Sequence, residues 1–532
     1  MKRLLLSALA LCLAAGLAAQ PPAYDLVITN GRIVDGTAAS WYRADIGLRG
    51  DTIVRVAPSI DPGPGRVIDA AGKVVAPGFI DIHTHARRGI FEVPTAENYV
   101  RQGVTTLIEG PDGGSPVPLG PFLAKLSALK MSVNLGSFIG QGSIRSAVIG
   151  DGDRKATVEE IQKMQALVEQ GMRDGAFGLS TGLFYVPGSF TPTDEIVELA
   201  RTAARFGGMH KSHQREESSK VLESVGETIA IGERGGLPTQ VTHHKIIGKA
   251  NWGRSAETLQ LIDEARARGV DVTSDQYPYT ASSTSVASAL VPAWALEGGR
   301  PEMMTRLKDP AIRARIRAET ITAIRDARGG GDPKNVRFAS CGFDPSLSGK
   351  TLADLTTRRG LPPTIENAAD TTLWLVEQGG CQGIFHAMSD DDVQRILRHP
   401  TTMIGSDGEV PIFGRSNPHP RSYGTFARVL GLYVREKKTI TLEEAVRKMT
   451  SFPAARLRIQ DRGILRPGMK ADIVVFDPAT VRDLATFDKP HQYAEGFSHV
   501  IANGQVIYEN GAMTAARPGA VLYGPGRKSE RR

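Results

Sequence analysis

Two histidines one residue apart close an apolar run in Ala76-Pro-Gly-Phe-Ile-Asp-Ile-His-Thr-His85. In a β-strand, side chains i and i+2 share a face. His83 and His85 therefore project together, and Thr84 turns away. Paired imidazoles are a common start for a transition-metal site. Three further groups follow strand-like runs: His213 after 208–212, His243 after 238–242, and Asp407 after 402–405. Each alone reads equally well as a capped or buried polar residue. Four imidazoles and one carboxylate, all at strand ends, make a ligand set for a divalent metal that activates water.

Groups at strand ends converge when parallel strands share one mouth, as in a (β/α)8 TIM-like barrel. Between residues 77 and 457, strand-like runs alternate with helical stretches such as 157–173, 193–206 and 256–268. That alternation is the mark of parallel βα units in an α/β chain. Nine strand candidates compete for eight places: 79–82, 104–108, 132–138, 176–180, 208–212, 238–242, 270–274, 383–387 and 402–405. The long, charged, partly helical segment 283–367 reads as an insertion near the barrel mouth. Residues 24–76 hold short apolar runs cut by Asn-Gly, Asp-Gly and Gly-Asp, and residues 458–525 repeat the pattern. The two chain ends are expected to pair into one small β-sandwich, with the barrel inserted between them.

The length of 532 residues suits a barrel with an accessory domain. The formal charge of +7 is spread along the chain, and no basic tract is interleaved with aromatics. A nucleic-acid partner is not implied. Lys2 and Arg3 precede an apolar stretch at 4–17, followed by small residues. Residues 1–19 therefore read as a signal peptide of a secreted or periplasmic protein. The apolar stretch is short for a membrane span and no second one follows, so no stable membrane anchor is expected. Cys341 and Cys381 remain for the mature chain, either as one disulfide or as two thiols. Nothing in the sequence specifies an oligomeric state.

Several motifs narrow the reading. They are Gly178-Leu-Ser-Thr-Gly-Leu-Phe-Tyr-Val-Pro-Gly188, His213-Gln-Arg-Glu216, Thr242-His-His-Lys245, Asn251-Trp-Gly253, Asp275-Gln-Tyr-Pro-Tyr-Thr-Ala281 and His419-Pro-Arg-Ser-Tyr-Gly424. In this order they resemble the N-acyl-D-amino-acid deacylases (D-aminoacylases) of the amidohydrolase superfamily, over nearly the whole mature chain. The resemblance implies zinc, one or two ions per subunit. It puts His213 and His243 on the tightly bound ion, and His83, His85 and Asp407 on a second, weaker subsite. Many amidohydrolases bridge two metals with a carboxylated Lys after the fourth strand. Here that stretch is Gly175-Ala-Phe-Gly-Leu-Ser-Thr-Gly182, without Lys. D-aminoacylases use instead a Cys in the loop after the second strand. Here the loop is Ile108-Glu-Gly-Pro-Asp-Gly-Gly114, and Asp112 falls at the Cys position. Asp112 is the expected substitute ligand and Glu109 the alternative. A carboxylate is the harder donor.

The expected reaction is attack of metal-activated water on an amide carbon. Asp407 would take the water proton and return it to the leaving amine, the step amides require. By resemblance Lys245, Arg421, Tyr185, Tyr277 and Ser283 lie near the substrate, the two cations as partners for its carboxylate. The expected substrate is a small N-acyl-D-amino acid or a short peptide. Two other readings stay open: a dipeptidase or cyclic-amide hydrolase acting on D-residues, and a non-catalytic metal- or ligand-binding protein.

Overall fold

The structure is a computed structural model that describes residues 24–527; the expected signal peptide lies outside the described residues. Eight parallel strands build the barrel: Phe79–Asp81, Val104–Glu109, Asn134–Ser137, Gly178–Gly182, Met209–His213, Thr239–Val241, Val272–Gln276 and Thr402–Ile404. Their registers follow chain order. Two seams complete the ring. Between the third and fourth strands the Phe177 amide donates to the Ser137 carbonyl at 2.9 Å. Between the last and the first, the Asp407 amide donates to the His83 carbonyl (2.8 Å) and the His85 amide to the Gly408 carbonyl (2.7 Å). The strands are buried on both faces, as parallel strands wrapped by helices are. Lys211, fully buried, crosses the interior and donates from its ammonium to the Ile82 carbonyl at 2.9 Å.

The outer helices are locally specified. Val158–Asp174 opens with a capping box in which Thr157 and Glu160 satisfy each other's backbone amides. It ends at Gly175, whose φ of 119° a side chain would resist.

The two chain ends form one nine-stranded sheet, joined where Ile473–Phe476 pairs antiparallel with Val74–Pro77. Alternation decides its two faces. Val74, Ala76, Val474 and Phe476 pack into the core shared with the barrel. Val75, Ile473 and Val475 face a separate core with Leu26, Ile46 and Ile53. The sheet thus clamps the start of the first barrel strand to the end of the chain.

The insertion runs further than its sequence pattern suggested. Ser282–Ser285, Val336–Cys341 and Cys381–Phe385 make a three-stranded antiparallel sheet with its own apolar core. The 383–387 candidate therefore leaves the barrel, and eight strands remain for eight places. An apolar run looks the same in a buried parallel and a buried antiparallel strand; partner direction separates them, and Cys381–Phe385 pairs antiparallel on both edges. Cys341 and Cys381 face each other in this sheet and form a disulfide. It closes a loop across a sequence separation of 40 residues. Cross-links of that span commonly contribute about 2–4 kcal/mol. Cys341→Ser is expected to make the segment between Ser282 and Phe385 the first site of limited proteolysis, with a lower unfolding midpoint. Unchanged cleavage and midpoint would show that the cross-link does not hold this segment.

Candidate metal centre

The ligands predicted from the sequence all leave the C-terminal ends of barrel strands. His83 and His85 follow the first strand and Asp112 the second; His213 ends the fifth; His243 follows the sixth and Asp407 the eighth. The donor atoms of His83, His85, Asp112 and Asp407 lie within 4.8 Å of one another, and so do those of Asp112, His213 and His243. Asp112 belongs to both groups. Its Oδ2 is 3.4 Å from Nε2 of His83 and of His85, and its Oδ1 is 3.5 Å from Nε2 of His243. His213 Nδ1 lies 3.8 Å from Asp112 and 2.7 Å from His243 Nε2. His85 Nε2 lies 3.0 Å from Asp407 Oδ1.

His83 Nε2 and Asp112 Oδ1 are buried without a hydrogen bond. Buried polar atoms are rarely left so, and these converge on common points. A set of imidazoles and carboxylates turned inward on one point fits zinc, with Asp112 placed to serve two ions. Glu109, the alternative ligand, is turned elsewhere. Its carboxylate accepts from the Arg87 amide at 3.0 Å and faces the Arg87 guanidinium at 3.4 Å.

Three of these residues sit in left-handed backbone: Asp112 (φ 57°), His243 (φ 36°) and Asp407 (φ 53°). Such conformations cost of order 1–3 kcal/mol each and persist where surrounding structure enforces them. The enforcing contacts are visible. Asp407 is pinned by the last-to-first seam, and the His243 amide donates to Asp275 Oδ1 at 2.7 Å. Asp275 also lies 3.4 Å from His83 Nδ1, and Gln240 donates to its other oxygen. One carboxylate therefore lies against the ring of His83 and holds the backbone of His243, a histidine of each subsite.

The electrostatics are strongly coupled. Burial opposes charge on His83, but Asp112 and Asp275 outweigh it and push the ring up to about 9. His213 moves down to about 4 through burial and the neighbouring His243. Burial also opposes charge on Asp407, yet Arg421 and His85 more than offset it and hold the carboxylate far below its usual range. Asp407 is thus ionised at neutral pH.

A cavity of about 660 Å³ opens on the centre and is lined by the five residues expected near substrate. Lys245 Nζ is 2.7 Å from Glu217 and 2.6 Å from His243 Nδ1. Arg421 is 2.8 Å from Asp407 Oδ2. Tyr277 offers its ring face to both cations, at 5.5 Å and 4.8 Å, and turns its hydroxyl towards Met388. Tyr185 packs on His213 with ring centroids 4.7 Å apart, its hydroxyl 3.0 Å from Thr284. Ser283 donates to the Gly383 carbonyl at 2.9 Å. His244 bonds Thr258, away from the centre. Sequence reasoning missed Asp275, Glu217 and Arg328. A charged residue inside a buried strand was the signal for Asp275, and Glu217 follows His213 by four.

Comparison with known proteins places this geometry. The sequence matches the amidohydrolase family over residues 66–508, and the chain belongs to that family. It is 37% identical to a D-aminoacylase of Alcaligenes xylosoxydans xylosoxydans, across 94% of this chain and 97% of that one. A solved N-acyl-D-glutamate deacylase from Bordetella bronchiseptica, complexed with zinc and a phosphonate mimic of the tetrahedral intermediate, superposes with TM-score 0.79 at 36% identity. That match covers 94% of this chain and 99% of the other. A solved D-aminoacylase, studied for its binuclear metal centre, gives TM-score 0.80 at 36% identity, covering 94% and 100% of the two chains.

If Asp112 serves both subsites, its loss should reach both. Asp112→Ala, purified with zinc and desalted, is expected to retain less than half of the wild-type metal by elemental analysis. Full metal content in that variant would remove Asp112 from the ligand set.

Proposed function

We propose that this protein is a zinc-dependent hydrolase that cleaves N-acyl-D-amino acids to a carboxylate and the free D-amino acid. The observation that carries the reading is Asp112 between two histidine pairs, with Asp407 against His85 at the floor of an open cavity. The kinship with D-aminoacylase and N-acyl-D-glutamate deacylase supports the choice of substrate. Zinc bound at this centre would supply a Lewis acid and an acidified water at neutral pH.

The chain's own groups supply the rest. Asp407 is ionised and buried beside the ligands, so it can take the attacking water's proton on Oδ1. Arg421 on Oδ2 fixes the carboxylate's orientation. The same proton is then available for the leaving nitrogen, without which an amide does not depart. Tyr185 keeps its proton, because burial and the nearby Asp112 raise its pKa. It can therefore donate towards the developing oxyanion.

Export is part of the proposal. A leader at residues 1–19 would deliver the enzyme to acyl-amino acids or D-residue peptides outside the cytoplasm. The cell fraction that holds the native protein, with the intact mass of its N-terminus, tests this, and a cytosolic protein with an unprocessed Met1 would overturn it.

Amine release from paired N-acetyl-D- and N-acetyl-L-amino acids tests the activity. Release from the D series that a chelator abolishes and zinc restores is expected. Asp407→Asn should keep some of its zinc and lose about 10²–10⁴-fold in kcat. Release from the L series alone, or full turnover in the Asn variant, would contradict the reading.

A further inference from the structure

Five cationic side chains line the cavity: Arg87, Arg88, Lys245, Arg328 and Arg421. Three have a carboxylate each. Arg87 faces Glu109 at 3.4 Å, Arg88 faces Glu409 at 2.8 Å, and Arg421 faces Asp407 at 2.8 Å. The other two share one. Lys245 Nζ is 2.7 Å from Glu217 Oε1, and the Arg328 guanidinium donates to Glu217 Oε2. Because they occupy the two oxygens of one carboxylate, Lys245 and Arg328 stand side by side.

Arg328 is held rigidly. Its NH1 donates to Ser282 Oγ at 3.1 Å and its guanidinium stacks over Phe184 at 4.4 Å. Its side chain is 5% exposed, against 1% for Glu217 and 2% for Lys245. The backbone that delivers it depends on glycine. Helix Pro310–Asp326 ends just before it, and Gly330 follows at φ 62°. A Cβ on Gly330 would come within 2.4 Å of the His386 carbonyl oxygen. The inserted segment thus places one guanidinium at the cavity wall through a turn that glycine makes without strain.

A buried cation without its own counter-charge is costly unless an anion completes it. Arginine stays charged under all ordinary conditions and presents a fork that matches a carboxylate. We propose that Arg328 is a specificity-determining residue of this enzyme: bridged by Glu217 to Lys245, whose place at the substrate carboxylate the family resemblance already implies, it adds a second cation to the carboxylate-binding subsite. The substrate carboxylate completes the charge there and is held beside the second histidine pair, since Glu217 Oε1 lies 3.3 Å from His243 Nδ1. The identity of the ligand rests on the deacylase reading. The subsite itself rests on the charge arrangement.

Two carboxylates qualify, the α-carboxylate or an acidic side chain, and free amino acids separate them without turnover. Zinc-loaded wild type and Arg328→Gln are titrated calorimetrically with D-leucine, D-leucinamide, D-glutamate and D-glutamine. Wild type is expected to prefer at least one acid over its amide by about tenfold or more, and Arg328→Gln is expected to erase that preference. Erasure with D-leucine assigns the α-carboxylate; erasure only with D-glutamate assigns the side chain. If Arg328→Gln does not fold, Arg328→Lys keeps the charge but not the fork, and the preference should shrink several-fold. A preference that survives substitution, or none in wild type, overturns the subsite. Amine release from N-acetyl-D-leucine and N-acetyl-D-glutamate is read in parallel. No turnover with the preference intact would sink the deacylase reading and leave the subsite standing.

Discussion

The last barrel strand returns to the first through two hydrogen bonds, Asp407 amide to His83 carbonyl and His85 amide to Gly408 carbonyl. Both bonds are made by the backbone of the metal-centre residues themselves or of their neighbour. Closing the barrel and assembling the first subsite are therefore one event. A barrel that failed to close would separate Asp407 from His85, and a shift of about one residue is about 3.3 Å. The chain-end sheet reinforces the closure from below, because Val74–Pro77 and Ile473–Phe476 pair directly beneath the first strand. Elements far apart in sequence thus share the load of a site only a few ångströms wide.

Asp112 is the second point of dependence. A carboxylate has two oxygens and can face two ions at once; here Oδ2 faces His83 and His85, with His213 a little further off, and Oδ1 faces His243. Asp275 repeats the design one layer out, one carboxylate serving His83 and the His243 backbone. Glu217 repeats it again at the cavity wall with two cations. The centre is a nest of shared carboxylates. Removing any one strands more than one partner in a buried setting, where unpaired charge is expensive.

Much of this was legible in the sequence. His-x-His at a strand end needs only the two-residue period of a strand, and the single His and Asp positions need only βα alternation. Asp112 was legible because a missing Cys forced attention onto its loop. What was not legible depends on register between strands distant in sequence. Asp275 acts through its neighbours Thr239–Val241 and Phe79–Asp81, which no local pattern specifies. Arg328 arrives from an insertion whose helices carry no period pointing at the cavity. The same insertion misled the strand count, since a buried apolar run does not reveal the direction of its partner. Lys245 and Arg421 read in sequence as partners for the substrate's carboxylate, whereas each is already engaged by a carboxylate of the chain.

The most direct test of the central claim is an anomalous difference map at the zinc edge, from crystals of the zinc-loaded protein. Two peaks flanking the Asp112 carboxylate, one among His83, His85 and Asp407 and one beside His213 and His243, are predicted. A single peak, or peaks out of reach of Asp112, would contradict the shared-carboxylate centre on which the account rests.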